Sequence, residues 1–411
     1  MHSMTSHRAE SSGSEGALPT TAPASSLKRT FSVGPISVRV HRSMDTVERE
    51  WRRLEMDRWN SLHQGFDWCS AWIKTHDVSV VIIEARLDGE PAFILPLQIE
   101  RHSLVRVARF IATSFTNFNS GLFSAAFRQR SHEFHDDMWS DLFREALALE
   151  VDLVSLSNIP IVWRGETNPL SALTSVRNQN SAFQLALGPD METTLAPLNA
   201  KARRKKYRTQ IRRLDEVGGF EHVRALTSDE KHALLDCFFR QKATRFEAAG
   251  LPNVFRAPET QAFFRMLLDL DRGGNDVPLE LHAIRLKGQH EGAIASITGL
   301  SRKGDHVICQ FGSIDDRLFP EASPGELLFW LVIEHSAVTG ASIFDFGIGD
   351  QEYKRRWCKK ETEHFDIRVP LTGIGRLAAL AGTGTTRAKA LIKARPAIYA
   401  FLQRLRARSA T

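Results

Sequence analysis

The run Leu279–Ile314, LELHAIRLKGQHEGAIASITGLSRKGDHVICQFGSI, decides how the rest of this chain is read. Strand-like pieces at Leu279 to Lys287, Glu291 to Ser301 and His306 to Ile314 are separated by turns at Gly288 and Lys303-Gly304. Three such pieces with short connections predict consecutive antiparallel strands. Downstream, helical spacing from about Pro324 to Thr339 precedes a strand at Ser342 to Phe346, a helical turn at Gln351 to Trp357 and a strand at His364 to Val369. Upstream, helices are predicted at Glu192 to Val217, ended by Gly218-Gly219, from Ser228, and at about Pro258 to Asp271, with a short strand at His222 to Leu226.

The N-terminal half repeats this order more loosely. A strand at Ile36 to His41 precedes a helix from Thr46 to about Met56. The hairpin Val78 to Arg101 turns at Asp88-Gly89, a pair that tolerates positive φ. Strands at Val105 to Ala112 and Val151 to Leu156 flank a helix at about Phe134 to Leu149. The expectation is a mixed α/β chain of two tandem halves, at 34–188 and 189–370. A Ser/Thr/Ala/Pro-rich disordered tail is expected at 1–33 and a basic amphipathic tail at 371–411.

With 411 residues, 42% apolar and 25% charged, the chain has the composition of a soluble two-domain protein, and no apolar run approaches a membrane span. Four dispersed cysteines without a CxxC pair, and histidines without ligand-like spacing, argue against a metal site and fit a reducing cytoplasm. The net charge of +6 is local, because residues 371–411 carry eight Lys or Arg and no Asp or Glu. Within that tail Leu391, Ile398, Leu402 and Leu405 form an apolar stripe opposed by cations. It suits either an anionic membrane surface, and so a peripheral place at the inner membrane, or docking on the second domain.

The order of the second unit resembles the GNAT acyltransferase fold. Its local sequence is similar to the cellulose-biosynthesis (CelD/BcsL-type) acyltransferases. Three pieces carry the likeness: the basic helix KARRKKYRTQIRRLDEVGG from Lys201, SPGELL from Ser323, and DFGIGDQEYK from Asp345. FDWCSAW at Phe66 and GEPAFILPL at Gly89 add to it. The resemblance implies tandem GNAT-like domains, each a mostly antiparallel sheet flanked by helices. It implies transfer of an acyl group, acetyl above all, from acetyl-CoA to an amine or hydroxyl on a small molecule, saccharide or peptide, without a metal. It also implies a link to cellulose or exopolysaccharide production in bacteria. One departure is Ile314-Asp315, where the family's pattern suggests a Tyr-Asp pair and a candidate acid for the departing thiolate.

The donor's phosphates are expected at Ser323, Pro324 and Gly325, with Ser323 capping the helix, and Arg317 nearby. The fold implies an oxyanion donor from the backbone near Gly312. Asp345 is expected to face the cleft as a proton acceptor or substrate orienter, with Glu291 and Asp315 as alternatives. Tyr353 and Lys354 join it as catalytic candidates, and Asp350 is expected to cap their helical turn. Arg204, Arg208 and Arg212 form one i, i+4 row among eight cations between Lys201 and Arg213, with no acid to pair with, which points to an anionic partner. Fem-type transferases, built from similar paired halves, take aminoacyl-tRNA, so charged tRNA is a rival donor. A non-catalytic binding scaffold is the third reading.

Overall fold

The computed structural model describes residues 29–147, 149–270, 276–359 and 361–393. Two sheets carry the fold. The first runs in the order Arg29–Val33, Ile36–His41, Ser79–Leu87, Glu90–His102, Val105–Phe110, Leu153–Pro160, His364–Pro370, Ser175–Arg177, with Leu122–Phe123 paired off its long fourth strand. The second runs Phe220–Arg224, Val277–Leu286, Ile294–Lys303, His306–Ile314, Ile343–Ile348, Ala182–Ala186, Glu361–Thr362. Each is antiparallel except for one parallel step, Val105–Phe110 against Leu153–Pro160 in the first and His306–Ile314 against Ile343–Ile348 in the second. The two sheets therefore share one plan, a tandem arrangement of open, antiparallel-rich α/β layers.

Local chemistry explains the turns that set this plan. Asp88 and Gly89 both take positive φ, +53° and +84°, which matches a two-residue hairpin to the twist of its strands. Gly219 takes φ +91° and returns its amide to Leu214 O at 2.8 Å, closing the basic helix Ala200–Asp215.

The boundary expected near Pro189 is crossed in both directions. Ala182–Ala186 pairs with Ile343–Ile348 in the second sheet, while His364–Pro370 pairs with Leu153–Pro160 in the first. The tail boundaries shift as well. Arg29–Val33 is a strand paired with Ile36–His41, and residues 1–28 of the expected tail lie outside the described residues. At the other end Gly373–Lys393 is a helix, and the side chains of the expected stripe lie outside the described residues.

One apolar core fills the first sheet's face beneath the helix Asp136–Leu147. A second lies between the halves and is built by helices from both. Trp68 and Trp72 of Phe66–Thr75 meet the Phe263 ring of Pro258–Asp269 edge-on, at 5.3 and 5.1 Å. A third packs the second sheet against the helix Pro324–Val338. Burial of the second core fixes the two halves as one body, and this sets the geometry of the cleft.

Candidate active site

The parallel step of the second sheet is short. His306, Val307 and Ile308 face Ile343, Phe344 and Asp345, and the pairing stops there. Beyond it, Gln310 is an extra residue in its strand, because Cys309 and Phe311 face the consecutive Leu300 and Gly299. A bulge bends its strand and leaves a residue out of the ladder. The gap that opens is a cleft of about 550 Å³.

Gly312, Ser323, Pro324, Gly325, Tyr353 and Lys354 all line this cleft, so the structure brings together most of the predicted donor and catalytic residues. Their roles differ in detail. Ser323 does not cap through its side chain; it sits at φ +50° and its carbonyl takes the Glu326 and Leu327 amides. The Gly325 amide has no acceptor among the described residues, as expected of the second helical position. Gly325 also allows the helix to lie against Ile314, whose Cγ2 is 2.8 Å from where a Cβ would stand.

Tyr353 stacks on Phe329, with ring centroids 5.1 Å apart and planes 16° apart, so its ring is fixed. Burial pushes its phenol well above the ordinary range, and the hydroxyl has no hydrogen-bond partner among the described residues. It is a protonated donor facing the cleft. Lys354 is a clamp: its ammonium donates to the carbonyls of Gly347 (3.2 Å) and Ile348 (2.8 Å) and fixes the turn that presents Tyr353. Burial lowers its pKa. Asp350 does not cap the helical turn Glu352–Trp357; it grips Arg355 at 2.6 and 2.9 Å.

Asp345 is not in the cleft. Alternation places it opposite Phe344 and Phe346, but that face is covered by the N-terminal half and Asp345 is 1% exposed. It accepts from Gln184 Nε2 and the Gly347 amide, both at 2.7 Å, and His306 Nε2 stands 3.4 Å away. Burial raises its pKa, but His306, Gln184 and the Gly347 amide outweigh this and hold the carboxyl below its usual value. Phe118 and Trp163 close over His306. The expected proton acceptor is a structural carboxylate.

Arg317 also lies away from the cleft, with a side chain 83% exposed and bound to Asp315, which it holds below the ordinary carboxylate range. Glu291 caps the Gly288 amide at 3.1 Å, and neither alternative base is a free cleft carboxylate. Arg208 and Arg212 are exposed and Arg204 half-buried, and none lines the cleft; Arg212 pairs with Glu216 at 3.6 Å. Their neighbours Arg203 and Lys206 face a groove of about 380 Å³ that shares Tyr353 and Glu326 with the cleft. Arg203 lies over the Trp357 ring at 4.0 Å.

Several lining residues escape the sequence reading. Lys242 and Arg245, from the helix Ser228–Ala248, line the cleft, and neither has a carboxylate partner among the described residues. Burial lowers the Lys242 pKa. Their spacing, i and i+3 beside Phe238 and Phe246, is the one signal the sequence held. Asn117 reaches in from the N-terminal half, and Gln310 is braced by buried His63, its Oε1 3.2 Å from Nε2. Asp316 is a lining carboxylate without an ion pair among the described residues. Cys309 also lines the cleft, but burial raises its thiol pKa, so it stays neutral and is a poor nucleophile. No cluster of three or more metal-ligating side chains suited to an ion occurs among the described residues.

The split parallel step, the free helix amide and the fixed phenol meet in one cleft. Residues 201–355 match the family model of the acetyltransferase (GNAT) domain, a span from the basic helix to the helical turn holding Tyr353. This segment, a little over a third of the chain, is thus similar in sequence to a GNAT acetyltransferase domain. No curated protein matches the chain in sequence. Among solved structures, FemX is similar in fold at 13% identity and TM-score 0.56, over 80% of this chain and 97% of FemX. The C-terminal domain of a putative lysylphosphatidylglycerol synthetase from Agrobacterium fabrum is similar at 11% identity and TM-score 0.50, over 82% of this chain and 95% of that one. A tandem GNAT protein from the clavulanic acid pathway aligns over 79% of this chain and 96% of its own at 10% identity, with TM-score 0.41.

Proposed function

We propose that the chain transfers an acyl group, acetyl in the simplest case, from acyl-CoA directly to an amine or hydroxyl acceptor. The observation that carries this is the cleft at the split parallel step, which holds a phenol at one wall and anion-seeking groups at the others. A pantetheine arm fits between the diverging strands, its phosphates drawn to the Gly325 amide, Lys242 and Arg245. Backbone amides near the Gln310 bulge and Gly312 face the thioester carbonyl and receive the developing oxyanion. The acceptor's lone pair forms the new bond to the carbonyl carbon. The C–S pair leaves on sulfur, and Tyr353 Oη gives the thiolate its proton. Asp316 at the rim passes the acceptor's proton to water, and the Tyr353 phenolate takes a proton back from water to restore the phenol. Tyr353 thereby fills the acid role that Ile314 cannot.

The likeness to the cellulose-biosynthesis acyltransferases is the ground for proposing a saccharide or peptide acceptor in exopolysaccharide synthesis in bacteria. A second reading, transfer from a charged tRNA, is favoured by Arg204 and Arg208 beside the groove, neither of which has an ion pair among the described residues.

Calorimetric titration with acetyl-CoA, CoA and longer acyl-CoAs tests the donor. Micromolar binding, weakened at least about tenfold in Lys242→Glu, is the expected outcome. Gly325→Glu is a poorer control, since its Cβ would also strike Ile314. Silence from every CoA species, with salt-sensitive binding of charged tRNA, moves the chain to the second reading. Silence from both leaves a binding scaffold.

A further inference from the structure

The helix Gly373–Lys393 is inverted relative to an ordinary surface helix. Its inner face is made of small residues: Gly375 lies on the Asp152 carbonyl, Gly382 against Arg368, and Thr386 Oγ1 accepts from Arg368 Nη2 at 3.0 Å. Its large apolar side chains point outward, with Ile374 38% exposed, Leu377 68% and Leu380 65%. At the same edge Leu149 is 91% exposed, its carbonyl bound by the same Arg106 that grips Asp152. Exposed Arg376 and Arg387 flank this apolar face, and residues 371–411 contain eight cations and no acid.

We propose that this helix seats the protein on an anionic lipid surface. An apolar stripe bordered by cations sinks into the headgroup boundary while the cations meet lipid phosphates. A second copy of the chain is a poor occupant, because two-fold pairing would set two acid-free basic segments against each other. The inner face holds the helix to the first sheet, so the acyl-transfer cleft is carried to the membrane with it. The proposal is independent of which donor the cleft takes.

Co-sedimentation of the full chain with vesicles tests it. Wild type is expected to pellet with phosphatidylcholine vesicles containing phosphatidylserine, to release at high salt, and to stay in solution with phosphatidylcholine alone. Leu377→Asp with Leu380→Asp, and separately Arg376→Glu with Arg387→Glu, are expected to weaken binding at least about tenfold while leaving the melting curve in place. The second pair keeps the test valid if the first misfolds. No pelleting with the anionic vesicles overturns the proposal, as does undiminished binding by both variants. A solution dimer abolished by Leu377→Asp with Leu380→Asp, without vesicle binding, would assign the face to self-association instead.

Discussion

Tyr353 and Asp345 stand eight residues apart in opposite settings, one on the cleft wall and the other in closed interior. Tyr353→Phe removes one proton donor from a ring held by Phe329, so kcat is expected to fall about 10²–10⁴-fold with the unfolding midpoint unchanged. Asp345→Ala leaves Gln184 and the Gly347 amide without their acceptor in a closed interior, and denaturant unfolding should show a loss of about 3 kcal/mol. An Asp345→Ala protein of wild-type stability that has lost only turnover would return Asp345 to the catalytic group. The sequence already held both residue types and their alternation. It did not hold the N-terminal half that covers Asp345, since burial by a partner segment about 230 residues upstream leaves no local trace.

At the scale of elements, the strand Ile36–His41 alternates between buried and exposed positions and has the predicted bounds. His306–Ile314 has the predicted bounds, and the hairpin turn at Asp88-Gly89 is where its residue types require it. The Gln310 bulge was not legible, because a bulge is a mismatch between two strands and neither strand alone records it. Its support is testable at Gly299. A Cβ there would enter the Phe311 ring, which packs against Phe238 at 4.1 Å and Phe264 at 5.2 Å. Gly299→Ala is expected to cost about 1–3 kcal/mol of stability and to lower kcat by displacing the strand beside the bulge. Retained stability with unchanged kcat would show that the bulge is not held by this contact.

For the whole molecule, the halves are joined by polar interior as well as by the shared aromatic core. His364 begins the strand that returns to the first sheet, is buried, and has neither ring nitrogen bonded among the described residues. Burial lowers its pKa to about 4, and His222, also desolvated, falls to about 4. The unfolded chain therefore binds more protons than the folded one between about pH 6.5 and pH 4. Stability is complete above that window and falls as pH drops through it, by roughly 3 kcal/mol in the limit if His364 alone is counted. Replacing His364 with Phe should flatten the unfolding midpoint between pH 7 and pH 5; an unaltered slope would place the acid sensitivity elsewhere.

The exchanged strands also set the order in which this protein can be made. A ribosome delivers residues 29–160 first, yet the sheet they build waits for His364–Pro370, nearly the last described segment to emerge. Until then Leu153–Pro160 presents an unpaired edge beside exposed core, the kind of nascent surface that recruits chaperones. Meanwhile Ala182–Ala186 must stay unclaimed until Ile343–Ile348 arrives. Neither half can finish without the other, so both sheets close late, and a chain cut short before Ile343 would carry two open edges at once.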